Sequence, residues 1–332
     1  MSVRLGIIGM GYCGRQQLKA AATVKGLEVV AVADTSPLRG LELPPAVKVY
    51  EDWRQLLEDS RVEAVSLCLP HHLHAEMAIQ ALHAGKHLLL EKPLAAELAE
   101  AQRIAAAASA SARVTMVEMT HRFYPPLQAG RALVLSGRLG EIYAVEDKVI
   151  ERLVPERCPA WMFERKRAGG GVALTDGIHL FDRIAWVCGQ PLRYHHGLAG
   201  YGQKLGDVED TALLQLSLAG GAPVSVLMSF QRAGGSFLDD ELTVYGTNGT
   251  LRIWTFRGWR FESQDSKAEE YESYPPDLDL YARIRVGMSG ALTEFTRAIA
   301  EGRKASPDPG DILPAQEIVA RFYAQVRAGD AS

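Results

Sequence analysis

Apolar and polar positions change rhythm once along this chain, near residue 121. Before that point, short and almost unbroken apolar runs cover residues 3–8, 27–33, 62–69, 87–90 and 114–118. Such runs suit strands buried on both faces. Between them, apolar residues recur at helical spacing from about residue 15 and over 72–84 and 95–110. Strands alternating with helices predict an α/β fold with a parallel, doubly wound sheet.

After residue 121 the runs become longer and alternate in period two. Residues 141–152, 210–218, 223–231, 241–245 and 250–256 read as strands, with Gly220-Gly221 and Asn248-Gly249 as hairpin turns. Helical patterns cover 175–188, 284–301 and 312–328. This predicts an α+β domain on an open, mostly antiparallel sheet, and a division into residues 1–121 and 122–332.

Length agrees with that division, since 332 residues exceed one compact core. A content of 47% hydrophobic and 23% charged residues suits a globular protein. The formal net charge of -4 gives no footprint for a polyanion, so nucleic acid is not an expected partner. No run approaches the roughly 20 apolar residues of a membrane helix, and the opening RLGIIGMGYCG lacks a signal peptide's apolar stretch. No membrane partner is therefore expected. Cys13, Cys68, Cys158 and Cys188 lack C-x-x-C spacing, which argues for reduced thiols and a cytoplasmic location rather than zinc or disulfides. His71, His72, His74, His83 and His87 are spread by helical phase, and no metal is expected.

Candidate chemistry begins with Gly9-Met10-Gly11-Tyr12-Cys13-Gly14, set between a strand and a helix. In G-x-G-x-x-G the first glycine makes the turn, the second admits a pyrophosphate and the third lets helix and strand approach. About twenty residues further on, the second strand ends in Asp34, followed by Thr35. A carboxylate there accepts from a ribose diol and repels a 2′-phosphate, so NAD is preferred over NADP. Arg39 softens that preference.

Leu69-Pro70-His71 ends the run 62–69, and Glu91-Lys92-Pro93 follows the run 87–90. Both fall on the carboxyl edge, where open α/β sheets bind ligands. Pro93 biases Lys92 towards extended backbone. His71 or His74 could stand beside the cofactor ribose. In the second half, GGGVALTDGIHLFDRIAWVCG spans residues 169–189. Three glycines let backbone pass close to a neighbour, and Thr175 and Asp176 stand four and three residues before His179. On one helix they share its face and can set its tautomer and pKa, as a proton-transfer residue requires.

In this order the segments resemble the glucose-fructose oxidoreductase and myo-inositol dehydrogenase family over essentially the whole chain. Also matching are Ala84-Gly85-Lys86-His87 before the Glu-Lys-Pro, Arg122-Phe123 with Pro125, and Gly137 to Gly140 before Glu141-Ile142. Val208-Glu209-Asp210-Thr211-Ala212 and Gly246-Thr247-Asn248-Gly249 complete the set. The resemblance implies a Rossmann domain carrying NAD or NADP. It also implies a second domain whose open sheet lines the substrate cleft and builds a homo-oligomer, dimer or tetramer. By the same resemblance Lys92 faces nicotinamide and substrate, His179 is the acid or base, and the substrate is a sugar, cyclitol or related polyol. Where the family often has aspartate four residues before the histidine, this chain has Thr175, with Asp176 one place later; either could take over. Met162 follows Trp161 where many relatives have arginine. Trp161, Arg165, His121 and Arg122 are the candidate substrate contacts. Besides a dehydrogenase or reductase, the same residues would suit NAD-dependent redox-assisted glycoside cleavage. A non-catalytic dinucleotide-binding regulator would need neither Lys92 nor His179.

Overall fold

A computed structural model of the chain describes residues 2–38, 40–232, 238–263 and 268–329. The chain forms two compact units. One comprises the stretch through Thr120 with Ile284–Leu313, the other His121–Arg283 with the stretch from Pro314 onward.

The first unit runs β1 (Val3–Ile8), α1 (Tyr12–Ala21), β2 (Leu27–Ala33), β3 (Lys48–Tyr50) and α2 (Trp53–Glu58). It continues with β4 (Ala64–Leu67), α3 (His74–His83), β5 (His87–Leu90), α4 (Leu98–Ala110) and β6 (Thr115–Val117). The six strands are parallel, in the order β3-β2-β1-β4-β5-β6. This is the doubly wound order, and it reverses between β1 and β4, where such sheets hold ligands beyond the strand ends. Leu5, Ile7, Val65, Leu67, Leu88, Leu89 and Leu90 are wholly buried, as both faces of a parallel sheet demand. The short β3 and α2 carry too few residues to show a period and are not anticipated by the apolar pattern.

The second unit contributes α5 (Pro125–Leu135), β7 (Ile142–Arg152), α6 (Arg165–Ala168), α7 (Val172–Thr175) and α8 (Gly177–Cys188). There follow β8 (Leu192–Gly200), β9 (Thr211–Leu218), β10 (Pro223–Gln231), β11 (Leu238–Gly246), β12 (Gly249–Trp254), β13 (Gly258–Ser263) and β14 (Glu269–Glu272). Helices α9 (Leu280–Glu301) and α10 (Pro309–Gly329) are the last of the described elements. The eight strands run β14-β13-β12-β11-β7-β10-β9-β8, all antiparallel except the β7–β10 pair. The expected strands are present. Strands β8, β13 and β14 and helix α5 add to them.

The expected division at 121/122 does not foresee that Ile284–Leu313 folds with the first unit. Arg285 Nη1 donates to Gln16 Oε1 at 3.2 Å, and Thr23 and Ser289 hydroxyls lie 3.0 Å apart. Met288, Leu292 and Phe295 form part of the buried face. A return over so long a sequence separation leaves no local signal.

Helix α8 buries nearly its whole surface, including a guanidinium. Arg183 is fully buried and donates to both oxygens of buried Asp147 on β7 and to Thr255. Removing one member of a buried pair strands the other charge. Arg183→Met should therefore lower unfolding free energy by about 3–5 kcal/mol in urea titration. An unchanged midpoint would show that the pair does not hold α8 to its sheet.

Candidate active site

The glycine turn is built by close packing. Gly9 has φ of +92°, and a Cβ on it would strike the Cys68 carbonyl oxygen. A Cβ on Gly14 would strike the Gly9 carbonyl oxygen. At Gly11, the N-cap of α1, a Cβ would meet nothing within 4 Å. The turn is therefore closed on its protein side and open on its outer side. Gly11 and Tyr12 are exposed and Cys13 is half-buried, whereas Gly9, Met10 and Gly14 are buried. The amino-terminal end of α1 concentrates positive potential there.

Asp34 is half-buried at the end of β2. Its Oδ2 accepts from the Met10 N–H at 2.7 Å and its Oδ1 from the Ser36 N–H at 2.7 Å. These bonds fix the carboxylate beside the glycine turn and leave each oxygen a lone pair for a further donor. Thr35 is exposed next to it. Arg39 lies outside the described residues.

Leu69, Pro70 and Lys92 are half-buried on the same carboxyl edge, and the Lys92–Pro93 peptide bond is cis. His74 is wholly buried, and its two ring nitrogens face the Pro93 carbonyl at 2.9 Å and the Leu69 carbonyl at 3.0 Å. The ring thus ties the loop after β4 to the loop after β5. Burial pushes its pKa down, while the two carbonyls favour the doubly protonated ring and oppose that shift. This corrects the expected place for His74: its nitrogens serve the protein, not a ribose. His71 is also buried, its ring 5.8 Å from that of His74.

Glu91, expected as a cofactor contact, is buried beneath this edge beside Glu118 at the end of β6. The Lys92 N–H donates to Glu91 Oε2 at 3.2 Å. Gln17 Nε2 donates to Glu118 Oε2, and Ser66 Oγ to Gln17 Oε1 at 2.5 Å. Burial raises the Glu91 pKa, with Lys92 opposing; burial and the neighbouring Glu91 charge push Glu118 well up. Glu118 ends the run 114–118 as Glu91 ends 87–90, so the same signature was present in the sequence.

In the second unit the three glycines find their neighbour. A Cβ on Gly170 would strike the Tyr323 hydroxyl, and one on Gly171 the Glu209 backbone. Glu209 Oε1 accepts from the Ala173 N–H at 3.0 Å and from the Tyr323 hydroxyl at 2.8 Å, and Oε2 accepts from the Gly171 N–H at 3.0 Å. A buried carboxylate thus caps α7. Helix α7 ends at Thr175 and α8 begins at Gly177, with Asp176 between them. The expected single helix through Thr175, Asp176 and His179 is therefore broken at Asp176. Its carbonyl accepts the His179 N–H at 2.9 Å, which seats the histidine in the first turn of α8.

The His179 ring stacks on His121, with centroids 4.3 Å apart and planes 12° apart. Next to it, Arg122 donates through Nε and Nη2 to buried Asp182 at 2.9 and 2.6 Å. Residues 121 and 122 are thereby fastened to one face of α8. The Asp182 carboxylate thus orients the guanidinium of Arg122, one of the expected substrate contacts. The spacing of Asp182, three residues after His179, could have shown it. Trp161 is half-buried in the turn Ala160–Phe163. At the start of α6, the Arg165 N–H donates to Asp207 Oδ1 at 2.6 Å and its Nη2 to the Tyr201 hydroxyl at 3.3 Å. Among the described residues no three His, Cys, Asp or Glu side chains gather as a metal site, and no helix is long and apolar enough to cross a membrane.

Comparison with known proteins agrees with both units. Residues 3–119 match the model of the oxidoreductase family with an NAD-binding Rossmann fold, and residues 127–252 match the GFO/IDH/MocA C-terminal domain. The chain is 30% identical to 1,5-anhydro-D-fructose reductase of Ensifer adhaerens over 257 residues, covering 75% of this chain and 74% of that protein. It belongs to the Gfo/Idh/MocA oxidoreductase family. Its first unit is an NAD-binding Rossmann domain, and the protein is an oxidoreductase. An oxidoreductase domain protein from Kribbella flavida superposes with a TM-score of 0.88 at 24% identity, covering 99% of this chain and 98% of the other. Levoglucosan dehydrogenase, solved with NADH and levoglucosan, gives 0.86 at 21% identity, with coverage of 99% and 98%. These two likenesses show the fold.

The turn makes a contrast between two glycines testable. Gly11→Val should lower the melting temperature far less than a change at Gly14 and lose NADH binding in a fluorescence titration, because a Cβ there meets no protein atom within 4 Å and only the N-cap preference for glycine is lost. Gly14→Ala should lower the melting temperature more, since its methyl meets backbone. Tight NADH binding by Gly11→Val would remove the open side of the turn from the cofactor seat.

Proposed function

We propose that this protein moves a hydride between nicotinamide and a secondary alcohol or ketone of a sugar, cyclitol or related polyol. The observation that carries the reading is the carboxyl edge of the first unit, where the open Gly11 side, the fixed Asp34 carboxylate and Lys92 stand at the ends of β1, β2 and β5, with Leu69 and Pro70 at the end of β4 between them. The donor set fits a dinucleotide. The N–H groups at the start of α1 would hold the pyrophosphate, with Gly11, Tyr12 and Cys13 around it. Asp34 would accept from the ribose diol and disfavour a 2′-phosphate, and Leu69, Pro70 and Lys92 would border the nicotinamide end. Bound NAD supplies the hydride acceptor or donor.

The chain's own part is to orient the carbinol and manage its hydroxyl proton. The Lys92 ammonium donates to the reacting oxygen and favours the charge that develops on it. His179 takes or returns the proton, its ring held by the stack on His121 and by the first turn of α8. Thr175 and Asp176 are the candidates for setting its tautomer, and Trp161, Arg165 and His121 for contacting the polyol. The named relatives, a sugar reductase and a dehydrogenase solved with an anhydrosugar, support a carbohydrate-like substrate. No observation favours redox-assisted glycoside cleavage or a regulator without catalysis.

A panel of sugars, inositols and their ketones, followed by NADH absorbance, should yield a substrate. With that substrate, Lys92→Met should lower kcat at least about a hundredfold and leave NAD affinity nearly unchanged. His179→Asn should lose a similar factor, and the double variant far less than the product of the two, as groups on one proton path do. Near-normal turnover by both single variants would reject these roles.

A further inference from the structure

The buried carboxyls of Glu91 and Glu118 have no part in the reaction just described, yet they sit under its cofactor edge. Strands β5 and β6 are adjacent and parallel, with Leu90 paired to Val117, so the two glutamates emerge side by side. The Glu118 N–H donates to the Leu90 carbonyl at 2.8 Å, which fixes that pairing. Glu91 is 7% exposed and Glu118 not at all. Glu118 Oε2 accepts from Gln17, while Glu118 Oε1 accepts no hydrogen bond among the described residues. Two ionised carboxylates this close and this dry would repel each other strongly, and a shared proton removes the repulsion while satisfying the free oxygen.

The groups packed around the pair come from three directions. Cys13 and Gln17 face it from α1, Ser66 and Cys68 from the end of β4, and Lys92 from its own strand end. Gln17 and Ser66 do not titrate. Burial pushes both thiols well above their ordinary range, so they stay neutral. The proton on the carboxyl pair is the one this cluster can exchange.

We propose that Glu91 and Glu118 share one proton, released to solvent when the positively charged NAD+ binds and retained when neutral NADH binds. This rests on the cofactor seat argued above, in which Cys13 borders the pyrophosphate and Lys92 the nicotinamide. Both dinucleotides carry the same phosphates, so their difference isolates the charge on the nicotinamide ring. A unit charge acting over roughly 10 Å in a partly screened interior moves an acid's ionisation by about tenfold. The sign follows: the pair holds its proton more weakly in the NAD+ complex, so NAD+ binds more tightly as pH rises through the pair's titration, and NADH does not.

The test is isothermal titration of the full chain with NAD+ and with NADH between about pH 5.5 and 9. The ratio of Kd for NADH to Kd for NAD+ should climb about tenfold across that range, and Glu118→Gln should flatten it, because the remaining Glu91 ionises without a partner. Glu91→Gln is the second variant, expected to be equally flat. Infrared spectra of the wild type in D2O should show a protonated carboxyl at neutral pH that both variants lack. A ratio independent of pH in the wild type, an undiminished slope in both variants, or no protonated carboxyl overturns the proposal while the cofactor seat stands. Failure of both dinucleotides to bind at any pH overturns the seat and the proposal together.

Discussion

The seating of helix α1 against the ends of β1 and β4 is the contact on which the first unit's chemistry depends. Gly9 and Gly14 leave no room for side chains, because the carbonyl oxygens of Cys68 and Gly9 stand where Cβ atoms would be. That closeness leaves Gly11 on the open side of the turn, and it brings Met10 within hydrogen-bonding reach of Asp34. It also presses Cys13 and Gln17 onto the polar layer formed by Ser66, Glu91 and Glu118. One packing contact thus sets the open side of the glycine turn on one side of the helix start and a buried acid pair beneath it.

The second unit reaches a comparable order through buried charge. Glu209 caps α7 with the help of Tyr323, and Arg183 on α8 reaches Asp147 on β7. With both helices fixed, His179 occupies a first helical turn, and the stacked His121 and the Arg122–Asp182 pair hold the neighbouring turn against it. Such groups are costly to bury alone and favourable only as satisfied sets. Position in this unit is therefore set by polar matching as much as by apolar packing.

Those origins explain what could be seen in the sequence. The parallel sheet, the glycine turn and Asp34 were legible because strand period, turn chemistry and the spacing to the second strand end are all local. The three glycines at 169–171 announced a close approach but not its partners, which lie at residues 209 and 323. His74 looked available from its place near a strand end, and only the fold shows both its nitrogens taken by carbonyls. The stack of His121 on His179 and the return of Ile284–Leu313 to the first unit join residues too far apart for any periodic signal.

The central claim is that this carboxyl edge delivers a carbon-bound hydrogen of a polyol to or from nicotinamide. It is tested most directly by isotope transfer. The protein would be incubated with NAD+ and either perdeuterated glucose or perdeuterated myo-inositol, and the nicotinamide examined by proton NMR and mass spectrometry. The account predicts deuterium at C4 of the reduced ring, on one face only, with at least one of the two polyols. Reduced nicotinamide without deuterium, or no transfer from either polyol together with no bound dinucleotide, would contradict it.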